Sequence, residues 1–259
     1  MFPLLFRIGP FTLHTYGVLL AVAFSLSLWY SLREARKDRL DTDSMTNLFL
    51  IVVLSAIIGS RLLFVLFSYR YFLEHPLDAF RIWEGGLVFH GGLLLAIAAS
   101  AVYLRRSGLP LWKTADIAGP AVALGQAVGR MGCLAAGCCY GRETSLPWGI
   151  TFNHPETLAP RDIPLHPTQL YASLSGWILF LVLHLFRKKR HVPGQVFWLY
   201  LLLASSARFI EDFYRGSSTR LSFFPTLTSV QGLCLLIAPA SLLLILLFHR
   251  RGSSPSPGK

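Results

Sequence analysis

Leu124-Gly125-Gln126-Ala127-Val128-Gly129-Arg130-Met131-Gly132-Cys133, running on to Gly137-Cys138-Cys139-Tyr140-Gly141-Arg142, is the stretch that decides how this chain is read. It begins inside an apolar helix and ends in a loop rich in glycine and cysteine. Arg130 stands where hydrocarbon is expected. A charge near the bilayer centre costs ~2.5–3.5 kcal/mol or more, so it usually marks a task. The rest of the chain must explain what Arg130 faces.

Working outward, the composition is that of a chain built for lipid. Of 259 residues, 53% are hydrophobic and only 14% charged, whereas soluble domains carry about 25% charged residues. The net charge of +11 does not point to nucleic acid, because the excess sits in short clusters beside apolar helices. Such clusters set topology and touch anionic membrane lipids. The first ten residues lack a basic leader region and no small-x-small cleavage site follows, so a removed signal peptide is not expected.

Seven apolar segments follow one another: His14–Leu32, Thr46–Phe67, Leu87–Leu104, Ala115–Met131, Gln169–Phe186, Gln195–Phe213 and Ser229–Phe248. Each is long enough to cross about 30 Å of hydrocarbon as a helix. The expected fold is all-α, a polytopic membrane protein with seven transmembrane helices. Residues 1–251 form one domain, and the Ser/Pro/Gly-rich tail from 252 to 259 is expected to be disordered.

Orientation follows from the basic residues. Fourteen lie on one side, in the clusters beginning at Arg33, Arg105, Arg187 and Arg250. The other side holds seven: Arg7, Arg70, Arg81, Arg142, Arg161, Arg215 and Arg220. The richer side is cytoplasmic by the positive-inside rule, which puts the amino terminus outside and the carboxyl terminus in the cytoplasm. On that frame the unusual polar residues gather at the outer helix ends: Tyr16, Arg61, His90, Gln126, Arg130, His166, Gln169, Arg208, Asp212 and Arg215. A polar cavity is expected at the outer leaflet.

Arg61, Arg130 and Arg208 have few acids at similar depth, which suits a phosphate gripped through paired hydrogen bonds. Two of them have plainer readings. Arg208 pairs with Asp212 at i+4, and Arg61 snorkels to the interface. Gly125, Gly129 and Gly132 let a helix or a headgroup come close to Arg130. His90 opens a helix with Gly91 and Gly92 behind it, where bare N–H groups favour an anion and an imidazole titrates near neutrality. The alternative is a hydrogen-bonded interface histidine. The Cys133–Pro167 segment is too long for a turn and either covers the cavity or merely connects helices. Cys133, Cys138 and Cys139 do not have the usual paired zinc spacing. They read as small apolar filler, or as disulfide partners if they face an oxidising side.

These residues resemble the prolipoprotein diacylglyceryl transferases, bacterial inner-membrane enzymes of lipoprotein maturation. The resemblance runs through Ile8-Gly9-Pro10, Leu13-His14-Thr15-Tyr16-Gly17, Gly59-Ser60-Arg61, Phe89-His90-Gly91-Gly92 and Gly129-Arg130-Met131-Gly132. It continues in Tyr140-Gly141-Arg142, His166-Pro167-Thr168-Gln169-Leu170-Tyr171 and Arg208 to Arg215. It implies transfer of the diacylglyceryl group of phosphatidylglycerol to the lipobox cysteine thiol of a preprolipoprotein signal peptide. A thioether forms and glycerol phosphate leaves. It implies that Arg130 binds the headgroup and that His90, Tyr16 and Arg208 belong to the active site. Arg61, Gln126, Gly91, Gly92, Gly141, His166, Gln169, Asp212 and Arg215 are the expected substrate-binding set. No metal or organic cofactor is needed. The place is the bacterial inner (cytoplasmic) membrane, with the active site towards the outer leaflet.

The chain departs from the commonest family pattern at four positions. Many members have asparagine at the place of Cys133, glutamate at that of Cys138, tyrosine at that of Ala204 and glutamate at that of Asp212. A cysteine-bearing variant of the central motif also occurs in the family. Two rival readings remain: a transporter or flippase for an anionic lipid or small anion, and a cysteine-dependent redox or hydrolytic enzyme.

Overall fold

The computed structural model describes residues 3–8, 11–190, 192–216 and 227–253. Gly9, Pro10, Arg220 and residues 254–259 of the expected tail lie outside the described residues. A short hairpin of β1 (Leu4–Ile8) and β2 (Phe11–His14) leads into α1 (Thr15–Lys37). Then come α2 (Thr42–Phe67), the short α3 (Tyr69–Glu74) and 3-10 turns at Pro76–Phe80 and Ile82–Glu84. The long helices α4 (Phe89–Ser107) and α5 (Leu111–Ala136) follow. A second small hairpin, β3 (Ile150–Thr151) with β4 (Pro164–Leu165), precedes α6 (Thr168–Lys188), α7 (Gln195–Asp212) and α8 (Ser229–Ser253).

Each expected apolar segment overlaps one long helix, with His14, Leu87, Val88 and Phe213 lying just outside the helices. Four helices, α1, α2, α6 and α8 to Phe248, are long and apolar enough to cross a membrane. The others are diluted by the residues that make them interesting: glycine and arginine in α4, Asp116 and Arg130 in α5, and Arg208, Glu211 and Asp212 in α7. The chain divides into two compact units. The smaller is Leu32–Leu111; the larger joins the stretch up to Ser31 to everything from Trp112 onward.

In the smaller unit, Arg39 takes a left-handed conformation (φ 55°) at the end of α1. Leu40 N–H donates to the Ala35 carbonyl (2.9 Å) and Arg39 N–H to that of Arg36 (3.2 Å). That is a Schellman closure, which satisfies carbonyls the helix end leaves open. Asp41 then caps α2, accepting from Ser44 N–H (2.9 Å) and Asp43 N–H (3.4 Å). The Ser44 hydroxyl and N–H hold its carboxyl below the ordinary carboxylate value. Leu50, Leu54, Ile58, Leu62 and Leu66 form an exposed stripe at i+4 along α2. Such a stripe suits hydrocarbon rather than water. The opposite face meets α4 through glycines. A Cβ at Gly91 would lie 2.5 Å from Leu63 Cβ, and one at Gly92 2.5 Å from the Ala56 carbonyl oxygen. Only side chains without Cβ permit this approach.

In the larger unit α5 is the centre, because its small residues admit a neighbour on each side. A Cβ on Gly125 would lie 2.6 Å from Ser27 Oγ of α1, and one on Gly119 3.1 Å from Tyr200 Cβ of α7. One on Gly176 of α6 would lie 3.0 Å from Ala127. Ser27 donates to the Ala121 carbonyl (2.9 Å) and Ser173 to that of Ala127 (2.7 Å), tying α1 and α6 to α5. Apolar packing around Ala123, Leu179, Leu183 and Val196 completes the centre. The fully buried Asp116 accepts from Gly194 N–H (2.8 Å) and Phe197 N–H (3.0 Å). It thus satisfies the amino-terminal donors of α7, with Arg190 at 3.4 Å as its counter-charge.

Candidate active site

The carboxyl end of α5 builds the first part of the site. Gly137 takes the left-handed conformation (φ 73°) that glycine adopts without strain. Its N–H donates to the Leu134 carbonyl (3.2 Å), and Cys138 N–H donates to the carbonyl of Cys133 (3.0 Å). This second Schellman closure folds Cys138 back on Cys133, since the motif sets those two positions against each other. Cys139, itself left-handed (φ 60°), completes the turn. The three sulfurs lie within 4.8 Å of one another, the one group of potential metal ligands among the described residues. A single helix ending thus gathers the three cysteines. All four cysteines are free. The Cys133 and Cys138 thiols, and then the Arg215 and Arg130 guanidiniums, hold the Cys139 thiol well below its ordinary pKa. The Cys133 and Cys139 thiols push Cys138 up.

Arg130 is half-buried on α5. Among the described residues its guanidinium has no hydrogen-bond or ion-pair partner. Gly132 packs against Tyr16 and Leu19, but a Cβ at Gly129 would meet nothing within 4 Å. The helix is thus open beside Arg130. Tyr16 and the cysteines lie within its electrostatic reach. Arg208 pairs with Asp212 (2.9 Å) as the i+4 spacing predicts, yet its second terminal nitrogen is buried and unpartnered. Arg208 also feels Arg215 and Arg130. The Arg215 side chain is half-buried and likewise without a partner among the described residues. Asp212 is fully engaged, since Thr228 Oγ1 also donates to it. Thr228 and Gln231 cap α8 reciprocally: Gln231 N–H donates to Thr228 Oγ1 (3.1 Å) and Thr228 N–H to Gln231 Oε1 (3.0 Å). Around Arg208 the guanidiniums of Arg130, Arg208 and Arg215 outnumber the carboxylates of Asp212 and Glu211.

The segment after α5 is more than a connector. Phe152, Ala159 and Leu165 form a small core with Leu134 and Tyr140 around the second hairpin. Gly141 packs against His166 and the Tyr214 carbonyl, and its N–H donates to the His166 carbonyl (3.0 Å). Gly141 is therefore a joint between strands, with no N–H free for substrate. Gln169 Nε2 donates to the Cys138 carbonyl (2.8 Å) and Thr168 Oγ1 to that of Cys139 (2.7 Å), fixing the cysteine turn on α6. Gln169 Oε1 is buried without a donor. Gln126 lies beside Tyr200.

Beside this turn is a cavity of about 600 Å³ lined by Trp148, His166, Tyr171, Ser175, Glu211 and Tyr214, among others. Trp148 Nε1 donates to Tyr171 OH (2.9 Å), which lies 3.3 Å from His166 Nδ1. Ser175 donates to Glu211 (2.6 Å). Of these residues only His166 was in the expected substrate-binding set. The signal was there: Tyr171 and Ser175 on α6, and Ala207, Glu211 and Tyr214 on and just beyond α7, recur at helical spacing.

In the smaller unit, Arg61 does not offer itself to an anion. It donates to the carbonyls of Ala79 (2.9 Å), Gly85 (2.7 Å), Gly86 (3.3 Å) and Asp78 (2.5 Å), and lies over the rings of Phe64 and Phe72. Its guanidinium is engaged in clamping the loop before α4. Gly91 and Gly92 also differ from expectation. Both N–H groups donate to the Val88 carbonyl (3.1 and 3.5 Å), and both residues are buried against α2. The bare backbone expected behind His90 is thus occupied. His90 itself is exposed in the first turn of α4, with its ring edge-on to Phe89.

Comparison with known proteins places the chain in a family. The family model described as prolipoprotein diacylglyceryl transferase matches residues 3–247. A phosphatidylglycerol–prolipoprotein diacylglyceryl transferase of Bacillus velezensis is 33% identical over 253 residues, covering 96% of this chain and 92% of its own length. That of Geobacter sulfurreducens is 35% identical over 224 residues (85% and 84%). That of Photobacterium profundum is 35% identical over 226 residues (86% and 83%).

Proposed function

We infer the reaction from one premise: the chain belongs to the prolipoprotein diacylglyceryl transferase family. It is a transferase of lipoprotein maturation, acting on phosphatidylglycerol and a prolipoprotein. The transporter reading falls away, since the relatives are named as transferases. In the reaction the lipobox cysteine loses its thiol proton, and its sulfur attacks the glyceryl carbon that bears the phosphate. The C–S bond forms as the C–O bond breaks, and glycerol phosphate departs with the electron pair.

The Arg130 guanidinium, unpaired among the described residues and beside open space, carries this reading. It is a forked donor at the depth of a lipid headgroup, and a phosphodiester presents matching oxygens. Negative charge grows on the leaving phosphate during attack. Arg130, Arg208 and Arg215, already positioned, stabilise that charge more in the transition state than before it. Tyr16, within reach of Arg130, orients the same headgroup. His90 is assigned the thiol proton, because an imidazole is a base near neutrality while a free thiol, with a pKa near ~8.5, is mostly protonated. The nucleophile arrives with the substrate, so the chain's own cysteines take no part in bond making.

The helices α1, α2 and α4 to α8 make seven spans of the bacterial inner membrane. The amino terminus lies outside, the carboxyl terminus in the cytoplasm, and the site opens to the outer leaflet. The charge asymmetry supports this orientation.

The test uses purified full-length chain in nanodiscs containing phosphatidylglycerol, with a synthetic lipobox peptide. The peptide should gain one diacylglyceryl group as glycerol phosphate is released. Failure to consume phosphatidylglycerol, under conditions where an authentic family member is active, defeats the reading.

A further inference from the structure

The transferase reading leaves Cys133, Cys138 and Cys139 without a task. We propose that they form a binding site for a thiophilic d10 cation such as Zn²⁺, held by three sulfurs with a fourth position open.

Geometry is the first support. The sulfurs already lie within 4.8 Å of one another. A tetrahedral zinc with bonds of about 2.3 Å keeps its sulfurs roughly 3.8 Å apart. Adjustment of the order of an ångström, within side-chain rotation, closes the difference. The backbone is held in advance. The Schellman closure at Gly137 fixes Cys133 against Cys138, and Gln169 and Thr168 hold the carbonyls of Cys138 and Cys139 from α6. Outer contacts of this kind orient ligands before a metal arrives.

Charge is the second support. In the bound state three thiolates surround a divalent cation, with a net charge of minus one. Three thiolates alone would be costly in a half-buried turn. Here the remaining negative charge faces Arg130 and Arg215, both of which act on the cluster. Sulfur donors select soft cations over Mg²⁺ or Ca²⁺. With three protein ligands, the fourth position is left for water or another oxygen donor, as in sites that are not purely structural.

The experiment uses the full-length chain, purified in detergent, reduced and stripped of metal. Zn²⁺ is titrated against a chromophoric chelator, and Co²⁺ is added separately to read sulfur-to-metal charge-transfer absorption. One ion per chain should bind. Zinc should shield three of the four thiols from alkylation in the unmodified protein, a readout that needs no variant. Cys133→Ser, Cys138→Ser and Cys139→Ser should each weaken binding by at least about tenfold, while Cys234→Ser should leave it unchanged. Zinc uptake equal to that of the triple serine variant overturns the proposal. So does an intact mass two hydrogens short that resists metal until reduced, because the cluster then exists as a disulfide. Neither result depends on transferase turnover, so the proposal fails or stands apart from the function above.

Discussion

Replacing Arg130 by alanine separates a binding residue from a scaffold residue, because its guanidinium has no protein partner among the described residues. Removing it orphans no donor or acceptor, so folding stability should change by no more than about 0.5 kcal/mol. Activity should behave differently. A preorganised donor aimed at developing oxyanion charge is worth about 2.7–4 kcal/mol, or roughly 10²–10³ in turnover. Arg130→Lys restores the charge but not the fork, so it should recover only part of the loss. Arg61→Ala is the counter-case. It removes a cation that donates four hydrogen bonds to the loop before α4. That variant should lose about 2–3 kcal/mol of stability. The assay pairs transfer to a lipobox peptide with thermal unfolding of the same nanodisc samples. An Arg130→Ala enzyme within threefold of the parent rate, or one that melts as early as Arg61→Ala, refutes the reasoning.

Three further outcomes follow from the packing. Asp116→Ala leaves the N–H groups of Gly194 and Phe197 without their acceptor in a buried place; unfolding measurements should show a loss of about 2–5 kcal/mol. Gly91→Ala drives a Cβ to 2.5 Å from that of Leu63 and against Gly59. The overpacking should cost about 1–3 kcal/mol or separate α2 from α4, readable as a lower melting temperature. Asp41 has a folded-state pKa below its unfolded value. Its contribution is therefore full above the unfolded pKa and fades as pH falls through the folded one. Asp41→Asn keeps an N-cap acceptor but should flatten that part of the acid melting profile; an unchanged profile removes Asp41 from it.

The helices and the position of Arg130 were legible in the sequence, because runs of apolar side chains are local and their length against the bilayer is a one-dimensional property. The i+4 pairing of Arg208 with Asp212 was legible for the same reason. Arg61 shows where that logic stops. From sequence it was one guanidinium among three, and only the return of residues 78–86 across α2 supplies the carbonyls it holds. Gly91 and Gly92 looked like open backbone, but their missing Cβ atoms serve the approach of α2. The cavity walls came from two helices and a loop far apart in the chain, so helical spacing showed the faces without showing that they meet.

By itself the sequence determined that the chain is apolar enough for lipid and where its helices lie, and it singled out Arg130 as the charge to be explained. Those facts follow from transfer free energies summed along a strand of residues. The tertiary structure decided which arginines remain unpaired among the described residues, that Arg215 shares the field of Arg130 and Arg208, and that three cysteines meet at one helix end. These depend on where distant backbone carbonyls and turns return. Hydrogen bonds and Coulomb terms act over a few ångströms of space and are indifferent to separation along the chain.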